Sequence, residues 1–88
     1  MKRIEFSLHA LDQLTDRGAT RTELEEAIRN GQPTPAKKGR RAYRKNFPYR
    51  AVWKGRHYET KQVMPIVIEE HDCLVVVTVY VFYFGGKP

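Results

Sequence analysis

The sequence predicts an α+β domain, with two short helices in the first third and a sheet built from the remainder. Three observations carry this. Apolar residues recur at helical spacing, with capping signals, up to Gly31; β-branched and aromatic residues dominate from Arg41 onward; and turn residues divide that second part into four runs. At 88 residues the chain is one domain, residues 1–88, near the lower limit for a self-sufficient core. An apolar content of 41% is enough for a folded globule.

Ser7 is an N-cap for a first helix of roughly ten residues that Gly18 stops at its C′ position. Ala10, Leu11 and Leu14 form its apolar stripe. Thr20-Arg21-Thr22-Glu23 fits a capping box for a second helix, whose Leu24, Ala27 and Ile28 face inward and which ends at Gly31. Residues 32–39 read as an irregular basic loop. Residues 41–47 and 49–54 read as short strands punctuated by Pro48 and Gly55, and 63–70 and 73–84 as longer ones joined in a compact hairpin at His71-Asp72. Alternation along the last run sets Val75, Val77, Val79 and Val81 against Leu74, Val76, Thr78, Tyr80 and Phe82. Both sets are mostly apolar, so this strand is expected to be central, with the helices on one side. The basic loop or a second subunit would cover the other, which leaves the oligomeric state open.

Charge is distributed unevenly. The net charge is +6, yet residues 29–61 hold eleven Lys or Arg residues against one acid, Glu59, and the segments on either side are each net negative. A field concentrated this way attracts polyanions, because each cation set against a phosphate releases a condensed counterion. Nucleic acid is therefore the first partner expected. Within the basic third, Lys37, Lys38, Arg40, Arg41, Arg44, Lys45 and Arg50 are interleaved with Phe47, Tyr49 and Trp53, the composition of a surface that pairs phosphates with cations and stacks unpaired bases on rings.

Other classes are disfavoured. The longest apolar run is too short and too β-branched for a membrane-spanning helix, and the start has no apolar stretch of signal-peptide length, so the cytoplasm is the expected compartment. The single Cys73 lies in an apolar run and reads as a small buried hydrophobe. His9, His57 and His71 lack ligand spacing, so neither a metal nor another cofactor is expected. Two residues past the Ser7 cap, His9 shares a polar stripe with Gln13, Asp16 and Arg17, and an imidazole can act as a base near neutral pH. Thr78 and Tyr80 interrupt the valines of the last strand, where their hydroxyls are expected to line a pocket under the first helix.

Phe6-Ser7-Leu8-His9-Ala10, followed by Arg17-Gly18 and a closing Thr78-Val79-Tyr80, resembles the small bacterial family called domain of unknown function 4258. The resemblance implies two N-terminal helices on a four-stranded, mainly antiparallel sheet of RelE- or barnase-like type. It implies His9, Arg17, Thr78 and Tyr80 as catalytic residues of a metal-independent endoribonuclease, with His9 as general base, directly or through Tyr80, and Arg17 with Arg44 or Arg50 on the phosphate. Gln13 and Ala19 depart from the family pattern of Arg and Ile. Two further readings use the same basic surface: a non-catalytic nucleic-acid-binding module, and a toxin-like protein neutralised by an acidic antitoxin-type partner.

Overall fold

A computed structural model of the chain describes residues 2–86; Met1, Lys87 and Pro88, included in the expected 1–88 domain, lie outside the described residues. Both helices form where their caps predict. In α1 (Leu8–Arg17) the Ser7 hydroxyl accepts from the Ala10 N–H, and Gly18 closes the helix in the left-handed conformation, at φ 78°. In α2 (Arg21–Asn30) the Thr20–Glu23 capping box is complete in both directions.

The sheet has five strands where four are expected. In chain order they are β1 (Arg3–Phe6), β2 (Gln32–Pro35), β3 (Arg41–Trp53), β4 (Arg56–Glu69) and β5 (Cys73–Phe84), arranged β1-β5-β4-β3-β2. The pairs from β2 to β5 are antiparallel, while β1 pairs parallel to β5, so the sheet is mixed. β1 is only four residues long, too short for its alternation to register. β2 carries Pro33 and Pro35, which an edge strand tolerates because only one side of its backbone must bond. A single-turn 3-10 helix, Lys37–Gly39, then leads into β3. The two short strands expected at 41–47 and 49–54 are one strand bent by a bulge between Pro48 and Ala51, where Arg50 has φ 48°. Lys54 and Gly55, both at positive φ, close the β3–β4 hairpin in two residues.

A second bulge corrects the faces of β5. Ile66 pairs with Thr78 but Val67 pairs with Val76, so Val77 is an extra residue on β5. Val76 thereby joins Val79 and Val81 toward the helices instead of opposing them. The core is Ala10, Leu14, Leu24, Ile28, Val63, Val67, Val76 and Val79, all between the helices and one face of the sheet. Nor is β5 central along its whole length. β1 flanks only 73–76, and beyond that Gln13 and Arg17 of α1 take the place of a neighbouring strand. Gln13 Oε1 accepts from the Val79 N–H at 2.7 Å, and Arg17 Nη1 donates to the Val79 carbonyl at 2.6 Å. These bonds satisfy backbone groups that a sheet edge would otherwise leave open.

Candidate nucleic-acid interface

Thr78 and Tyr80 lie on the sheet face away from the helices; Thr78 shares no cavity with α1, whereas Tyr80 at the sheet edge also reaches one lined by Asp16 and Arg17. The bulge at Val77 sets this parity: Thr78 stands beside Ile66 and Tyr80 beside Met64, on the side opposite Val79 and Val81. The turn Lys37–Gly39 arches over the same face. Thr78, Tyr80 and Ile66 meet Ala36, Lys37, Lys38 and Arg40 around a cavity of about 330 Å³. Among the described residues the side chains of these three cations make no ion pair or hydrogen bond. A neighbouring polar cavity of about 210 Å³ is lined by Gln32, Arg44, Lys45, Asn46 and Gln62.

The ten residues predicted to bind nucleic acid divide sharply. Lys37, Lys38, Arg40 and Arg44 make no ion pair among the described residues. Lys45 pairs with Glu26 of α2 at 3.3 Å, Arg50 with Glu59 at 3.7 Å, and Arg41 lies in the field of Glu69. Phe47 packs against the core. Tyr49 and Trp53 close on Tyr83, with ring centroids 5.2 and 4.9 Å away, so these rings are part of the fold's packing and not a free stacking surface. Gly18 makes this closure possible, since a Cβ there would sit 2.6 Å from Trp53 Cζ3. Burial, reinforced by Tyr49 and Glu23, pushes the Tyr83 phenol up to about 12.

Lys61 belongs to the basic third by sequence but is spent internally. It is the one buried charged residue among those described, at 6% exposure, and Nζ donates to the Gly18 carbonyl at 3.0 Å and the Glu23 carboxylate at 2.8 Å. Cys73 is buried as expected, and burial raises its thiol above the ordinary value, the opposite of an activated thiolate.

His9 is exposed, and its side chain makes no hydrogen bond or ion pair among the described residues. Helical spacing puts it one turn before Gln13, at the end of α1 where the Ser7 N–H bonds the Val76 carbonyl, and it does not line the cavity that holds Thr78 and Tyr80. Arg17 reaches the Tyr80 ring instead, its guanidinium 5.4 Å from the centroid, and with Asp16, Trp53 and Lys54 it lines a further cavity of about 220 Å³. Tyr80 is common to both cavities. What sequence reasoning missed is that Tyr80 continues into an exposed row with Phe82 and Phe84, whose signal was alternation in a strand expected to be covered on both sides.

No group of three or more His, Cys, Asp or Glu side chains is gathered for a metal among the described residues, and no helix is long and apolar enough to cross a membrane. Fold and site define a small α+β protein with one helix-covered sheet face and one cationic, ring-bearing face. Residues 6–81 match the family described as Domain of unknown function (DUF4258), and the chain belongs to that family. No curated protein and no solved structure matches it.

Proposed function

We propose that the protein binds RNA, in the cytoplasm, with phosphates held by Lys37, Lys38 and Arg40 where they share a cavity with Thr78 and Tyr80. The observation that carries this is the set of three cations with no acidic partner among the described residues, beside two hydroxyl-bearing side chains. Phosphate oxygens accept from all five groups, and an ammonium beside a phosphate gains affinity by counterion release. Binding then weakens linearly on a log–log plot against salt. Replacing Lys37 or Lys38 with Ala should reduce that slope by about 0.7 for each single-strand phosphate that the variant no longer neutralises. Fluorescence anisotropy at several salt concentrations measures this, and an unchanged slope for the double variant would remove the cavity from the site.

Tyr80 favours a second reading, metal-independent cleavage of RNA in the manner of RelE-like toxins. It stands between Arg17 on one side and the cationic cavity on the other, so its hydroxyl could move a proton while cations balance the charge of a pentacoordinate phosphate. His9, the base expected from the family resemblance, stands about 12 Å along α1 from Arg17 at ~1.5 Å per residue and lines neither cavity, so Tyr80 carries the proton transfer in this scheme. Incubation of labelled RNA in EDTA, with and without ribosomes, separates the readings. Discrete products that fall ~10²–10⁴-fold with Tyr80→Phe, a loss well beyond any fall in affinity, would establish cleavage. A shift without products leaves a binding module. An acidic antitoxin-type protein would compete for the same three cations, and its co-purification would identify a neutralised toxin.

A further inference from the structure

Tyr80, Phe82 and Phe84 occupy alternate positions of β5, all on the helix-free face, at 41%, 45% and 43% exposure. Three large rings left this open in one row are unusual for a small domain, which normally buries its aromatic area. Tyr83, between them in sequence, points the other way and is packed among three further rings. The Tyr80 and Phe82 rings are close to parallel, 15° apart with centroids at 6.3 Å, and the Arg17 guanidinium already lies over the Tyr80 ring, so Phe82 and Phe84 are the rings of the row with no cation over them among the described residues. Across the sheet, Phe82 stands beside Gln62 and Phe84 beside Thr60, and Gln62 donates to Asn46 Oδ1 at 2.9 Å. Polar edge groups therefore lie one strand away from the rings. The row starts at the Lys37–Lys38–Arg40 cavity, and the free-face positions paired with it, from Asn46 and Gln62 to Ile66 and Thr78, include no carboxylate.

We infer that Tyr80, Phe82 and Phe84 are a stacking platform for the unpaired bases of single-stranded RNA, whose phosphates lead into the cationic cavity. This rests on the RNA-binding reading and deepens it from a polyanion to a single strand. Rings two residues apart on a strand are spaced by about 6.6 Å, a distance that an extended single strand can match base by base. Bases in a duplex are already stacked on each other and present no free face to such a row. Charge complementarity favours nucleic acid over a second copy of the chain, because two such faces would bring like charges together. An acidic peptide such as polyglutamate would satisfy the cations but brings no aromatic ring to stack on Tyr80, Phe82 and Phe84.

The test compares a fluorescent single-stranded RNA, the same strand annealed to its complement, heparin and polyglutamate, on wild type and on Phe82→Leu and Phe84→Leu. Leucine keeps the positions apolar, and thermal melts verify that the variants fold. The expected result is tighter binding of the single strand than of the duplex, a roughly tenfold loss of single-strand affinity in each variant, and unchanged heparin binding. A 2-aminopurine base in the strand should change emission on binding wild type and change less on the variants. Equal affinity for single strand and duplex, or variants that bind like wild type, would overturn the platform while leaving the cationic cavity standing. No binding of any nucleic acid at low salt would overturn both. Polyglutamate binding as tight as RNA, or sedimentation as a dimer that the Leu variants dissociate, would assign the face to a protein partner instead.

Discussion

The two faces of this sheet are made of the same kinds of residue and treat them in opposite ways. On the covered face the cations Lys45 and Lys61 are paired with Glu26 and Glu23 of α2, and Tyr49, Trp53 and Tyr83 pack on one another. On the free face Lys37, Lys38, Arg40 and Arg44 have no acidic partner among the described residues, and Tyr80, Phe82 and Phe84 are open. Neighbouring residues such as Phe82 and Tyr83 fall on different sides purely by strand parity. Composition alone therefore overstates the binding surface: a basic, aromatic stretch marks both the site and the scaffold that holds it. Substitutions on the covered face should therefore cost stability without changing the RNA affinity proposed for the folded protein.

The largest such cost is expected at Lys61. Lys61→Met keeps an apolar stem of similar length but removes the cation from a carboxylate that is itself mostly shielded, 21% exposed in its side chain. Breaking a buried pair from one side costs about 3 kcal/mol. The Glu23 carboxylate also accepts from the Thr20 N–H, so the capping box should be kept in a Glu23→Gln chain, and the double variant Lys61→Met/Glu23→Gln should recover part of the loss. Urea unfolding of all three measures the cycle. A Lys61→Met protein as stable as wild type would show that the lysine belongs with the free cations.

Gly18→Ala follows, at about 2 kcal/mol. The residue has φ 78°, which an L side chain resists, and the new Cβ would meet both Trp53 and the Tyr83 hydroxyl at 2.6 Å. That hydroxyl donates to the Arg17 carbonyl at 2.8 Å, so it cannot retreat without losing a bond. Thermal melts would register the change, and a near-neutral result would mean that the ring cluster is loose.

These positions mark how far the sequence could be read. Ser7, Gly18 and the Thr20–Glu23 box announce the helices because caps are local chemistry, satisfied within three or four residues. β1 and β2 were not legible, because a four-residue strand is defined by the partner it meets and not by its own pattern. The fate of the valines and of Thr78 and Tyr80 turned on one extra residue, Val77, whose bulge has no composition of its own. The basic third was legible as charge. Which of its members face solvent was not, since Glu23 and Glu26, which claim Lys61 and Lys45, lie in a different element far along the chain.

Gln13 separates two explanations of the open edge of β5 at a cost of about 1 kcal/mol. It accepts from the Val79 N–H, which no strand neighbour can reach once β1 has ended. The arginine expected at this position from the family resemblance has five donors and no acceptor, so it cannot replace that bond. Gln13→Leu and Gln13→Arg should both destabilise by about 1 kcal/mol, the loss for an N–H without its partner, and both should expose the Val79 amide to hydrogen exchange. Protection of Val79 that survives Gln13→Leu would mean the helix backbone, and not this side chain, shields the edge.

The effect that vanishes at neutral pH is a pH dependence confined to the covered face. The Tyr83 phenol is raised from 10 to about 12, first by burial and then by Tyr49 and Glu23, so the folded chain keeps a proton that the unfolded chain loses. Where the folded state binds more protons, stability falls as pH rises. The contribution is fully present below pH 10 and is lost progressively between pH 10 and about 12. Tyr83→Phe removes this phenol along with its bond to the Arg17 carbonyl, so the variant should start less stable yet lose less across that interval. Chemical denaturation at fixed pH steps would compare the two slopes. Parallel slopes would show that the hydroxyl is in contact with water, and that the boundary between the covered and free faces lies further inside the ring cluster than Tyr83.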